Sequence, residues 1–287
     1  MNILITGANG QLGKELTARL HGRDGVTLVT TDVDTLDLTR EDDVNRFFDI
    51  NRFDYAINCA AYTAVDRAEE QPELCRLINA DAIEILGRVA HAHGCRVVHI
   101  STDYVFNGMG YRPYREDDPT GPASTYGITK LEGEQRLLAV APDSVVIRTA
   151  WLYSPHGKNF VKTMMELGRS RDKLKVVCDQ IGTPTSATSL ARAITTIITG
   201  GKWEPGVYHY TDEGATSWYD FTIAIHRLAG ITGCEVSPCL SSEYPTAAVR
   251  PFYSVLDKSK IKAVYGINIP HWLTPLEEVI ARLKGGS

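Results

Sequence analysis

Short apolar runs and longer amphipathic stretches alternate along the first half of the chain. Asn2 to Thr6 reads as a strand, Gln11 to His21 as a helix, Thr27 to Thr31 as a strand, Glu41 to Asn51 as a helix and Tyr55 to Asn58 as a strand. The alternation continues with a helix over Glu73 to His93, a strand over Arg96 to Ile100, a helix over Ser124 to Val140 and a strand over Ser144 to Arg148. Strand, helix, strand at this spacing calls for right-handed βαβ crossovers, because parallel neighbours need a long connection that packs back on the sheet. The predicted fold class is therefore α/β, a doubly wound, Rossmann-type parallel sheet.

After Arg148 the alternation loosens, and Pro155, Gly157, Gly182, Pro184, Pro205 and Gly206 punctuate the chain. A first domain over residues 1–150 and a smaller lobe over 151–287 are expected. The helix near Ser189 to Ile198 and the strand-like Gly206 to Thr211 place parts of about 188–211 back on the first domain. No internal repeat or low-complexity segment interrupts this plan.

Composition narrows the function classes. The 287 residues are 43% hydrophobic and 23% charged with a formal net charge of -5, which is ordinary for a soluble globular protein and excludes a disordered or fibrous chain. With no basic patch there is no expected attraction to nucleic acid. The apolar runs are too short to span a bilayer, and Met1-Asn2 leads into Ile3-Leu4-Ile5 without a basic leader, so neither membrane nor secretion is expected and the location is cytoplasmic. Six scattered cysteines without a C-x-x-C read as reduced thiols filling small core positions.

Doubly wound sheets bind ligands at the carboxyl ends of their strands. The first of these ends carries Gly7, Gly10 and Gly13 in a G-x-x-G-x-x-G spacing between a strand and a helix. Gly7 suits a tight turn, Gly10 lets backbone approach a phosphate, and Gly13 lets helix and strand pack closely. Backbone N–H groups and the positive end of the helix then favour a pyrophosphate, so residues 1–150 read as a dinucleotide-binding domain and the rest as a substrate-binding lobe. Asp32, at the end of the second strand, is placed to bond a ribose hydroxyl, with Asp34 and Asp37 nearby and Asp37-Leu38 able to flank the adenine instead.

Tyr126 and Lys130 stand four residues apart at the start of a predicted helix, on one face. A free tyrosine titrates near 10. A lysine cation roughly 5 Å away at an effective dielectric of about 20 favours the phenolate by about 3 kcal/mol, or about two pKa units. Tyr126 then serves as the proton donor to a carbonyl oxygen, with Lys130 holding the cofactor ribose and tuning the tyrosine. Thr102, at the end of another strand, supplies a hydroxyl for the reacting carbonyl.

Taken together, the loop Thr6 to Gly13, the segment Asn58 to Asp66, the run Ser101-Thr102-Asp103-Tyr104-Val105-Phe106-Asn107-Gly108 and Tyr126-x-x-x-Lys130 resemble the dTDP-4-dehydrorhamnose reductase family of extended short-chain dehydrogenases. Arg148 to Tyr153, Asn159-Phe160, Arg250-Pro251 and Ser254-x-Leu-Asp257 extend the resemblance over essentially the whole chain. It implies reduction of the 4-keto group of a dTDP-sugar with NADH or NADPH. By motif, Gly10-Gln11-Leu12, Asp37-Leu38 and Ala60, Ala61, Tyr62 and Thr63 line the cofactor, while Thr102, Asp103 and Trp151 meet the sugar nucleotide. An indole offers a flat apolar wall, and Arg250 suits the pyrophosphate oxygens, although it equally suits a surface ion pair. Asn79 resembles the helix asparagine of the wider superfamily and implies backbone contacts that steady the site.

Two departures limit the resemblance. Some members carry acidic residues at a magnesium-bridged dimer interface, whereas this chain has Glu15 but Thr188-Ser189-Leu190 on the later helix, so no metal is expected and a homodimer stays open. Asn107 also stands where the family often has aspartate. An epimerase or dehydratase that retains NAD and a non-catalytic dinucleotide-binding subunit remain the competing classes. Intact Tyr126, Lys130 and Thr102 argue against the latter.

Overall fold

The structure, a computed structural model, describes residues 1–285. Strands β1 (Asn2–Thr6), β2 (Thr27–Thr31), β3 (Tyr55–Asn58), β4 (Arg96–Thr102) and β5 (Val145–Thr149) alternate with helices α1 (Gln11–Leu20), α2 (Glu41–Ile50), α3 (Val65–Glu70), α4 (Pro72–Arg76), α5 (Ala82–Ala92) and α6 (Thr125–Val140). In the second half come β6 (Leu152–Tyr153), α7 (Phe160–Ser170), β7 (Lys173–Val177), β8 (Ile181–Gly182), β9 (Thr185–Ser186), α8 (Ala187–Thr199) and β10 (Gly206–His209). They are followed by β11 (Thr216–Ser217), α9 (Trp218–Ala229), β12 (Glu235–Cys239), α10 (Ser259–Tyr265) and α11 (Leu273–Gly285).

The central sheet has the order β10-β5-β4-β3-β1-β2, all parallel. Alternation along β1 explains why both faces are covered. Ile3 and Ile5 join Leu12, Leu16 and Leu20 of α1 and Leu190, Ile194 and Ile197 of α8 on one side. Leu4 joins Phe48 of α2, Leu86 of α5 and Leu137 of α6 on the other. Thus α8 and β10, which follow the first lobe segments, complete the sheet layer. A separate core builds the smaller lobe, in which α7, α9 and α11 pack through Met165, Phe221, Ile225 and Leu276.

The long helix predicted over Glu73 to His93 is three pieces. Between α4 and α5 lies a π turn, Leu77–Asp81, and the Asn79 carbonyl bulges so close to Gly133 of α6 that a Cβ there would meet its oxygen at 2.1 Å. The predicted strand Arg96 to Ile100 runs on to Thr102, because Ser101 and Thr102 pair with Arg148 and Thr149. No described helix is long and apolar enough to cross a membrane.

Candidate active site

The order of strands reverses at β1 and β3, and a crevice opens there at the carboxyl ends of the sheet. The cavity, of about 560 Å³, is lined by Gly10, Gln11, Leu12 and Gly13 of the glycine loop, Ala61 and Thr63 after β3, Thr102 at the end of β4 and Asp103 after it, Tyr126 and Lys130 of α6, and Trp151 after β5. Gly7 holds φ at +63°, and a Cβ on it would meet Ala60 N at 2.6 Å. A Cβ on Gly13 would strike the Gly7 carbonyl at 2.5 Å. The loop therefore hugs its neighbours with bare backbone: the N–H groups of Ala8, Asn9 and Gly10 are bonded to Thr31 O, Asp32 Oδ2 and Gly7 O, and the start of α1, Gln11 to Gly13, borders the cavity.

Ala60 and Tyr62 lie beside the cavity without lining it. Asn79 grips Tyr62 from the π turn, accepting from its N–H at 2.8 Å and donating to its carbonyl at 3.1 Å. That double bond fixes the Ala60 to Thr63 segment as a strand partner would.

At the other wall, Ser124 caps α6 by accepting from Gly127 N, which orients Tyr126 and Lys130 toward the end of β4. Thr102 caps the short turn Asp103–Val105, accepting from Tyr104 N at 3.2 Å and donating to Asp103 Oδ1 at 3.0 Å. Asp103 is buried, and its Oδ2 has no hydrogen-bond partner among the described residues. Burial pushes its carboxyl up to about 6 against the pull of bonds from Ser254 and Thr102.

The expected lowering of the Tyr126 phenol is reversed. Burial holds it well above the ordinary value of 10, opposed in part by its hydrogen bond with Thr102. The same burial lowers Lys130 to about 8, and its Nζ turns to the Ile100 carbonyl at 2.7 Å and His99 Nε2 at 3.2 Å. Removing the phenolate from water outweighs the help expected from the lysine, whose Nζ turns to Ile100 and His99 instead. Tyr126 thus stands as a neutral phenol at neutral pH, the form that donates a proton.

The other expected site residues lie outside the first cavity. Arg250 bonds Asp66 Oδ2 at 2.6 Å and the Tyr104 hydroxyl at 3.4 Å, and it faces a second cavity of about 720 Å³ instead of the first. The Asp32 carboxylate accepts from Asn9 N of the glycine loop and from Val33 N of its own turn, both at 2.9 Å, outside the main cavity. Asp37 binds Thr39, and Leu38 is core.

Trp151 has φ of +48°, unusual for a non-glycine residue, and its ring stacks on Trp218 with centroids 3.4 Å apart. Trp151 faces the first cavity and Trp218 the second, so the stack forms the wall between them. Sequence reading missed Trp218 because nothing local marks it as Trp151's partner. It also missed Lys158, in the Gly157-Lys158-Asn159 stretch that borders the first cavity, although the glycine beside a lysine was a usable cue.

The residues do not fit the divalent ion of the bridged interface. Glu15 is buried and accepts from Thr188 Oγ1 at 2.8 Å and Arg282 at 3.0 Å, with His156 Nε2 at 3.3 Å. A guanidinium beside the carboxylate already supplies the positive charge. Among the described residues no group of three His, Cys, Asp or Glu is placed to hold a metal.

Comparison with known proteins agrees with this architecture. Residues 1–284 match the RmlD substrate binding domain family. A dTDP-4-dehydrorhamnose reductase of Streptomyces griseus is 41% identical over 286 residues, covering 98% of this chain and 94% of that one. The crystal structure of the dTDP-4-dehydrorhamnose reductase of Clostridium acetobutylicum superposes with a TM-score of 0.96 at 46% identity, over 99% of this chain and 100% of the other. That of Bacillus anthracis, solved in complex with NADP, gives 0.94 at 35% identity, over 98% and 99%. A fold, a strand-end cavity and full-length similarity on this scale show that the chain belongs to the dTDP-4-dehydrorhamnose reductase family.

Proposed function

We propose that the chain reduces the 4-keto group of a dTDP-4-dehydro-6-deoxy sugar, converting dTDP-4-dehydro-L-rhamnose to dTDP-L-rhamnose in the cytoplasm with NADPH or NADH. The observation that carries the reading is that Tyr126, Lys130 and Thr102 line one cavity with the glycine loop. The bare backbone at Gly7 and Gly13 and the start of α1 suit a pyrophosphate, so the residues present fit a dinucleotide. When bound, the nicotinamide supplies the hydride that adds to C4.

The chain's own residues do the rest. Tyr126 Oη gives its proton to the C4 oxygen as charge develops there, and burial, which keeps the phenol neutral, keeps it loaded for that step. Thr102 and the unpartnered Asp103 Oδ2 offer polar contacts to the sugar beside that oxygen. Trp151 gives the sugar ring an apolar wall. The nucleotide end suits the second cavity beyond the Trp151–Trp218 stack, where Arg171, Lys173, Lys175 and Arg250 supply positive charge for two phosphates.

The test is Tyr126→Phe in a coupled assay with dTDP-4-dehydro-L-rhamnose and each cofactor. Loss of a proton donor lowers kcat by about 10²–10⁴-fold with cofactor affinity nearly intact. A variant with near-normal kcat removes Tyr126 from the role, and a wild-type protein that binds cofactor but turns over no 4-keto sugar nucleotide removes the reading.

A further inference from the structure

Behind Lys130 runs a chain of buried polar groups that the proposed chemistry leaves unused: Thr6 at the end of β1, Asn58 at the end of β3, and His99 in β4, each 1% exposed or less. Donor and acceptor bookkeeping along this chain decides a protonation state.

Asn58 Nδ2 lies 3.3 Å from the Ala60 carbonyl, a pure acceptor, so the amide nitrogen must sit on that side. Its Oδ1 accepts from Thr6 Oγ1 at 2.6 Å, which agrees. The same Nδ2 is 2.9 Å from His99 Nδ1 and donates to it. His99 is kept neutral by burial first and by the neighbouring lysine second. A neutral imidazole has one N–H, and with Nδ1 accepting, that proton sits on Nε2.

Nε2 faces Lys130 Nζ at 3.2 Å, while Nζ also donates to the Ile100 carbonyl at 2.7 Å. An ammonium has three N–H groups and no lone pair, so it would set two donors face to face. An amine donates to Ile100 and accepts from His99, and every group is satisfied.

We propose that His99 is a positioning residue that turns an N–H toward Lys130 and so favours its neutral amine over the ammonium. Glycine-loop geometry at the ends of β1 and β3 is thereby tied to the charge of a cavity lysine on α6. The opposing groups are Glu134, one turn along α6 and paired with Arg148 of β5, and Cys75 of α4, both of which favour the ammonium. Tyr126, one turn earlier on α6, is neutral at the pH concerned and adds no charge. The balance leaves Lys130 titrating near 8, an ammonium below that pH and an amine above it. The consequence for turnover rests on the reductase reading. If Lys130 holds the ribose as an ammonium, kcat/KM falls above about pH 8, and His99→Gln, whose carboxamide oxygen accepts from an ammonium, moves that limb upward by about one pH unit.

The deciding experiment needs no substrate. In ¹⁵N-histidine-labelled protein near pH 9, above the Lys130 titration, the imidazole absent from the His99→Gln spectrum should show the Nε2–H tautomer. An Nδ1–H tautomer or an imidazolium overturns the proposal. In ¹³Cε-lysine spectra the Lys130 titration should move up by about one unit in His99→Gln, and an unchanged or lower midpoint overturns it as well. If that variant does not fold, the wild-type tautomer, assigned by through-space contact to Asn58, still decides. Absence of turnover with the Nε2–H tautomer present would count against the reductase reading and still support the His99 assignment.

Discussion

Glu134→Gln tests the buried charge network from both its structural and its electrostatic side. Glu134 and Arg148 are 3% and 5% exposed as side chains, and the guanidinium meets the carboxylate through Nη2 at 2.7 Å and Nε at 3.0 Å. The amide keeps the shape of the carboxylate and one acceptor oxygen but leaves Arg148 with an uncompensated charge, beside the Phe106 ring face at 5.1 Å and a long contact to His209. Removing one partner of a buried pair costs about 3–5 kcal/mol. For a chain of this size that corresponds to a fall in Tm of about 10 °C. The carboxylate also favours the Lys130 ammonium, so its loss drives Lys130 below its value near 8 and moves the alkaline limb of kcat/KM toward lower pH, opposite to His99→Gln. Calorimetry and a pH–rate profile read both effects. A Tm within about 2 °C of wild type, or an alkaline limb displaced upward, refutes the reasoning.

Two further perturbations probe the cavity. Asp103 titrates near 6 instead of 3.8, so the folded state holds its proton more tightly than the unfolded chain, and stability present at low pH is lost as pH rises from about 4 through 6. Asp103→Asn should erase that loss, raise stability at pH 7.5 by on the order of 3 kcal/mol and lower kcat/KM; an unchanged pH dependence of Tm counts against the buried-charge account. Gly13→Ala would push a methyl against the Gly7 carbonyl at 2.5 Å and Ala8 Cα at 2.6 Å, both backbone. It should weaken NADPH binding by more than about tenfold in a fluorescence titration, and wild-type affinity would dismiss the role given to the loop.

Much of the architecture is written in local pattern. Apolar runs of strand length between amphipathic helices specify a covered parallel sheet, because only that layering buries both faces of β1. The glycine spacing and the Tyr126/Lys130 spacing are equally local, and the structure brings both to one cavity through the carboxyl ends of β1 and β4. Partner choice is different, since it depends on which distant segment arrives. Arg250 is drawn to Asp66 across 184 residues, Trp151 to Trp218, and Glu15 to Arg282 across 267. The π turn at Asn79 follows from how α6 seats against α4 and α5, which no helical periodicity announces. Protonation states lie furthest from the sequence. The i to i+4 spacing of Tyr126 and Lys130 argued for a lowered phenol, yet burial raised it and lowered the lysine. Spacing specifies which groups share a helix face, whereas desolvation and the hydrogen-bond partners that set a proton's affinity exist only once the whole chain has closed around them.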